Sequence, residues 1–299
     1  MPSTPKREYL IPADTEAIFV QDFFPEEFLG GAELTSEAFI HHSPYRVFKL
    51  HASSLTPQML QEHRDKIWIF GNFQSVNLSL LGLALNLKLR LYMIEYDYKF
   101  CDFRLPQLHQ FQRNSPCDCH TRERGRFIAK LFKEARKSFF MSEKQMQVYG
   151  ELFPSAKPNG VALSSAWVKE DLEYLRTLRA CRVSNGRWAI LKRDSFVKNQ
   201  TGTEAYARAH GISYDLVGEM PYREFLRILS SYDGLLFHPA GYDSCPRLTI
   251  EAKLMGMQLL LNEHVQHKEE PWFNQNVSSI EEYLLEIPHR LWRIIEATG

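Results

Sequence analysis

The chain carries no net charge: 36 lysines and arginines balance 36 aspartates and glutamates over 299 residues. Without a field of one sign, nonspecific attraction to nucleic acid or to an acidic membrane is disfavoured, and only a local basic stretch such as Lys130–Arg136 remains to meet a polyanion. No apolar run approaches the ~20 residues of a membrane span, and the opening MPSTPKREYLIPADTEA has no apolar core of signal-peptide length. The expectation is a soluble, cytoplasmic protein. Cysteine is sparse, five residues and an odd number, which argues against a secreted disulfide framework.

What is present is enough apolar material, 44% of residues, for two cores at the usual ~100–150 residues per domain. From residue 17 onward, apolar β-rich runs alternate with amphipathic stretches, the pattern of parallel strands joined by crossover helices. Predicted strands in the first half are Ala17–Gln21, Arg46–Ala52, Lys66–Gly71, Leu89–Asp97 and Lys137–Ser142, with helices at Leu34–His41, Pro57–Arg64 and Arg124–Ala135. The second half repeats the alternation, with strands near Gly160–Leu163, Trp188–Lys192, Tyr214–Gly218, Gly234–Pro239 and Gln258–Asn262. Its helices are expected near Glu170–Ala180, Gly202–His210, Tyr222–Ser231 and Pro246–Gly256. This is an α/β chain with two Rossmann-like sheets.

Helix breakers and turn formers concentrate at Phe153–Gly160 and mark the expected hinge. The domains are therefore expected at 1–155, 156–276 and a terminal helical segment at 277–299 that contains Pro288.

The most informative segment is Ser231–Asn262, which reads strand, loop, helix, turn, strand. Pro246 suits the first helical turn, so the preceding loop delivers the chain to a helix amino end whose free amides attract an anion. Asp243 and Glu251 are separated by seven residues, one in the loop and one in the helix's second turn, so two carboxylates approach one ligand from different heights. Upstream, Arg193 and Lys198 follow a strand with four residues between them, a second pair of charged residues at a strand's carboxyl end.

These features resemble the GT-B glycosyltransferases that carry an acidic residue, seven residues, then glutamate (glycosyltransferase family 4-like). Aspartate stands here where that family usually has glutamate, and Ser-Cys-Pro-Arg where it usually has a glycine-aromatic-glycine turn, which points to a distinct branch. The resemblance implies two Rossmann-like domains with a cleft between them and a terminal helix crossing back to the first. It implies transfer of a hexosyl or pentosyl group from a nucleoside-diphosphate sugar, mostly with retention, to a glycan or other small acceptor, with no cofactor required. It also implies that Glu251 binds the donor ribose, that Arg193 and Lys198 hold the diphosphate, and that Asp243 with Ser244, Arg247 and Leu248 approaches the sugar and its phosphate. The segment Val217–Arg223 corresponds to the part that lines the nucleobase pocket.

In the first half, Gly30 and Gly31 open a helix after the first strand, where paired glycines let backbone amides approach a phosphate. They also match the first strand–helix junction of the same superfamily. Strand Leu89–Asp97 ends in Glu95-Tyr-Asp97, at the sheet edge where open α/β folds bind ligands, so Asp97 first and Glu95 second are the candidates to receive an acceptor proton.

Cys101, Cys117, Cys119 and His120 share one irregular stretch and offer soft ligands for a structural zinc ion or thiols for disulfide exchange. Their spacing is not a standard Cys-x2-Cys pair, so buried thiols are the plainer expectation and no metal is required. Two other functions stay open: a catalytically degenerate module that binds a nucleotide or glycan, and a transferase acting on a nucleic-acid base, which zero net charge disfavours.

Overall fold

The computed structural model describes residues 10–193 and 195–299. The chain divides into two compact units, one comprising the chain up to Phe100, Cys119–Ala166 and Ile287–Gly299, the other Cys101–Asp118 and Trp167–Glu286. The expected freedom of the amino terminus from a signal segment lies largely on residues 1–9, outside the described residues.

The chain begins with β1 (Ala17–Gln21), α1 (Gly31–His41), β2 (Val47–His51), α2 (Pro57–Glu62), β3 (Ile67–Phe70), α3 (Leu78–Asn86) and β4 (Arg90–Glu95). It continues through α4 (Pro106–Arg113), which counts with the second unit, then α5 (Glu123–Glu134), β5 (Lys137–Phe140), α6 (Glu143–Leu152) and β6 (Gly160–Ala162). The first unit's six strands are all parallel, in the order β2-β1-β3-β4-β5-β6. β1 and β3 are buried at every position because crossover helices cover both faces, which is why β3 and the first four residues of β1 read as unbroken apolar runs.

β6 corrects one expectation. It was expected to open the second sheet, yet it is the last strand of the first, with Ser138 donating its N–H to Asn159 and Leu163 donating to Phe140. Gly160 makes the pairing possible: a Cβ there would lie 2.8 Å from the Phe140 ring.

The second unit continues with α7 (Lys169–Ala180), β7 (Trp188–Leu191), α8 (Gln200–Ala209), β8 (Tyr214–Val217), α9 (Tyr222–Leu229), β9 (Gly234–Phe237), α10 (Arg247–Leu254) and β10 (Gln258–Leu261). Its four parallel strands run β10-β9-β7-β8. Gly256, at φ 75°, stops α10 and turns the chain into β10, the left-handed position that glycine fills without a Cβ penalty.

The last helix, α11 (Val277–Thr298), runs through Pro288. Its first part, through Glu286, counts with the second unit, where Glu281 binds Arg176 and Arg179 at 2.7 and 2.9 Å. Its remainder counts with the first unit, where Trp292 donates to the Phe39 carbonyl at 2.7 Å and Tyr92 donates to the Ile295 carbonyl at 3.1 Å. Among the described residues no helix is long and apolar enough to cross a membrane.

Candidate functional site

Strand order locates the site in the second unit before any side chain is considered. From β7 the chain steps to β8 on one side and then returns to β9 on the other, so the carboxyl ends of β7 and β9 diverge into a topological switch point, where open α/β sheets bind ligands. The loops leaving those two strands carry Arg193 with Lys198 and the Asp243 segment. They are tied together by the Ala240 N–H donating to Val197 and by Asn199 donating its amide to His238, at 3.2 and 2.9 Å. Asn199 adopts the left-handed conformation that asparagine tolerates as it leads into α8.

Lys198 and Asp243 meet here. The Lys198 ammonium donates to the Asp243 carboxylate at 2.7 Å and lies 5.3 Å from the centre of the Phe237 ring. Asp243 is fixed by its backbone, donating to His264 and accepting from Gln266 at 2.9 and 3.0 Å. Arg193 is exposed, its N–H held by the Gln200 side chain at 3.0 Å. Ser244 is buried and Leu248 half-buried at the start of α10. Pro246 was expected inside the first helical turn, but its extended ψ of 115° makes it the residue before the helix, where its own side chain makes no cap bond. The amino end of that helix therefore keeps the partial positive charge that favours an anion.

Glu251 lies inside a polar cluster with only 2% of its surface exposed. Its Oε1 accepts from the Tyr222 hydroxyl and faces Arg247 Nε at 3.4 Å. Arg247, equally buried, stacks over Trp167 at 4.0 Å and reaches toward Asp171 at 3.8 Å. Burial pushes the Glu251 carboxyl above the usual carboxylate range against the pull of Arg247, and burial with the neighbouring carboxylate holds the Tyr222 hydroxyl well above its ordinary value. Beneath α10, Thr249 shares a hydrogen bond of 3.2 Å with the ring of His267, which stacks on Trp272; burial, and then Lys253, lowers the His267 pKa to about 3.

Helix α4 borders the same loops. A Cβ on Gly241 would fall within 3.0 Å of Leu105 and Gln107, Tyr242 donates its N–H to Gln107 at 3.4 Å, and Phe111 packs on Phe196. Sequence reasoning missed His267 and Gln107, which approach the site from distant elements with no local signature; Tyr222 lies in the Val217–Arg223 segment expected to line the nucleobase pocket.

In the first unit the corresponding switch point lies between β1 and β3. Asp22, also missed, bridges it by accepting the backbone N–H of Gln74 and of Ser75 at 2.7 and 3.0 Å. Gly30 precedes α1, and a Cβ there would come within 2.3 Å of the Glu33 carboxylate. The helix end at Gly30 and Gly31 thus has an acidic neighbour of its own, which weakens its call on a phosphate.

Asp97 is half-buried after β4, its backbone held by Glu95 and by Gln145. Glu95 departs from expectation: it is fully buried, bound by the Lys99 ammonium at 2.8 Å and by the Tyr149 hydroxyl. Burial raises its pKa even against the Lys99 charge, and with these partners it fixes the end of β4.

The cysteine stretch also departs from expectation in one member. Ligand atoms of Cys101, His109, Cys117 and Cys119 lie within 4.8 Å of one another, whereas His120 packs on Phe153 outside that group. His109 takes the place because α4 turns it inward as its one buried residue.

No protein-family model matches the chain, and no curated protein sequence does. Among solved structures it is similar to HepE (Alr3699) of Anabaena in complex with UDP and glucose, at TM-score 0.51 and 12% identity over 95% of both chains. It is also similar to UGT2 of Phytolacca americana with UDP-2-fluoro-glucose and pterostilbene, at TM-score 0.45 and 9% identity over 96% of this chain and 94% of that one. A third is UGT73P12 of Glycyrrhiza uralensis with glycyrrhetinic acid 3-O-monoglucuronide, at TM-score 0.41 and 12% identity over 95% and 91%. The chain has the GT-B fold, two Rossmann-like α/β domains.

Proposed function

We propose that this protein is a glycosyltransferase that takes a sugar from a nucleoside-diphosphate donor bound at the carboxyl edge of the second sheet. The observation that carries the reading is the Lys198–Asp243 pair beside the amino end of α10, at the switch point between β7 and β9. The Anabaena protein of similar fold holds UDP and glucose, which agrees with a nucleotide donor.

In this reading Lys198, with Arg193, neutralises the diphosphate as negative charge develops on it during bond cleavage, and the backbone amides at the start of α10 add their dipole. Asp243 positions the transferred sugar. Ser244, Arg247 and Leu248 shape the same turn. Glu251 serves the ribose through Oε2, since Tyr222 and Arg247 both occupy Oε1. Asp97 receives the acceptor's proton as the new glycosidic bond forms. No separate cofactor enters this chemistry.

The test is release of nucleoside diphosphate from a panel of nucleotide sugars, with and without simple glycan acceptors. Release by the wild type, reduced at least about tenfold in Asp243→Asn, supports the reading. Absence of release, together with tight nucleotide binding, would replace it by a non-catalytic nucleotide-binding module.

A further inference from the structure

We propose that Cys101, His109, Cys117 and Cys119 form a structural zinc site that clasps the ends of the α4 segment. The four residues come from one continuous stretch of chain. Cys101 leads into α4, His109 is the buried residue of that helix, and Cys117 and Cys119 follow it. Asn114, at φ 50°, gives the left-handed turn that sends the chain back toward Cys101.

The dimensions fit a metal better than a disulfide. The Cys101 and Cys117 sulfurs are 3.7 Å apart. A disulfide needs about 2.05 Å, whereas two thiolates each about 2.3 Å from one tetrahedral zinc ion are separated by about 3.8 Å. All four ligand atoms lie within 4.8 Å of one another, so modest inward movement closes the tetrahedron. Three thiolates and one imidazole are the soft, closed donor set of structural zinc, with no position left for a substrate or a reacting water.

The surroundings support the same reading. His109 has its Nε2 3.9 Å from the Asp118 carboxylate, an ion-pair distance rather than a hydrogen bond, so a carboxylate stands near the ring. The Cys119 backbone is pinned by α5, because a Cβ on Gly125 would lie 2.0 Å from the Cys119 carbonyl oxygen, so only glycine admits this approach. Cys101, His109 and Cys119 are buried and Cys117 is half-buried, so the metal would be shielded yet reachable.

Binding is not a redox step: three thiols release their protons to solvent, the neutral imidazole gives a ring lone pair, and the site carries one negative charge with Zn2+ bound. Its role is to hold α4, whose Leu105, Gln107 and Phe111 brace the loops of the proposed donor site.

The experiment is metal analysis and cobalt titration of the full-length chain, purified with reductant and without chelator. About one zinc per chain is expected, and cobalt should give the thiolate charge-transfer and intense ligand-field bands of a tetrahedral site. Cys117→Ser and His109→Ala should each weaken cobalt binding at least about tenfold, His109→Cys should restore it, and His120→Ala should leave it unchanged. A folded, reduced wild type that melts cooperatively yet gives no cobalt–thiolate band would overturn the proposal. Recovery of a Cys101–Cys117 disulfide from cells alkylated at lysis would do the same.

Discussion

The Lys198 ammonium is held 2.7 Å from the Asp243 carboxylate, and this pair joins the loop after β7 to the loop after β9. The carboxylate keeps a cation in place where a diphosphate would need it, and an arriving anion competes for that cation. The two residues therefore differ in what their removal does.

Lys198→Ala is expected to weaken nucleoside-diphosphate binding about 10- to 100-fold, the worth of one charge-assisted hydrogen bond. Asp243→Asn removes the competing carboxylate, so the same affinity should hold or tighten while turnover falls. Binding titrations and diphosphate release on the two variants check both halves.

The Glu251 cluster should answer mainly in stability. Glu251→Ala leaves the Arg247 guanidinium buried without its carboxylate and is expected to cost about 3–5 kcal/mol. Tyr222→Phe removes one hydroxyl donor and should cost about 1–2 kcal/mol. Denaturant unfolding of each variant measures the difference, and equal costs would contradict the arrangement.

His267 gives the fold an acid sensitivity whose sign follows from its depressed pKa. The folded protein keeps the ring neutral down to about 3, while the unfolded chain protonates it near 6.5. Its stabilising contribution is present above 6.5 and is lost as pH falls from there through about 3, at up to about 1.4 kcal/mol per pH unit. Thermal melts of wild type and His267→Phe across that interval should show the wild type losing stability relative to the variant as pH falls, because phenylalanine has no proton to take up.

The carboxyl-terminal helix is anchored in the first unit by Trp292 donating to Phe39. Trp292→Phe keeps the ring's apolar bulk but leaves that buried carbonyl unsatisfied, and a loss of about 1–3 kcal/mol is expected. Trp292→Ala should cost more, because it also opens a cavity.

Much of the fold was legible because buried parallel strands leave continuous apolar runs: β1 occupies the residues that its run marks, and β7 to β10 follow the alternation of the second half. β6 was assigned to the wrong sheet because Gly160–Leu163 shows strand character but not which edge it joins. That choice depends on the room that Gly160 leaves beside Phe140. α4 escaped notice because its polar sequence PQLHQFQR buries only His109, so it has no apolar stripe to read.

At the candidate site, Lys198 and Asp243 were legible through spacing within strand–loop–helix units. Gln107 and His267 were not, because their contacts arise only when distant elements pack. Glu95 and Asp97 looked alike in sequence, and burial with Lys99 and Tyr149 separates them.

The most direct test of the central claim is calorimetric titration of the wild type and Lys198→Ala with uridine, guanosine, adenosine, cytidine and thymidine diphosphates and their sugar conjugates. The account predicts selective binding of one base by the wild type, weakened about 10- to 100-fold by the substitution. No binding by any of them, or binding that the substitution leaves untouched, would contradict a donor site at Lys198 and Asp243.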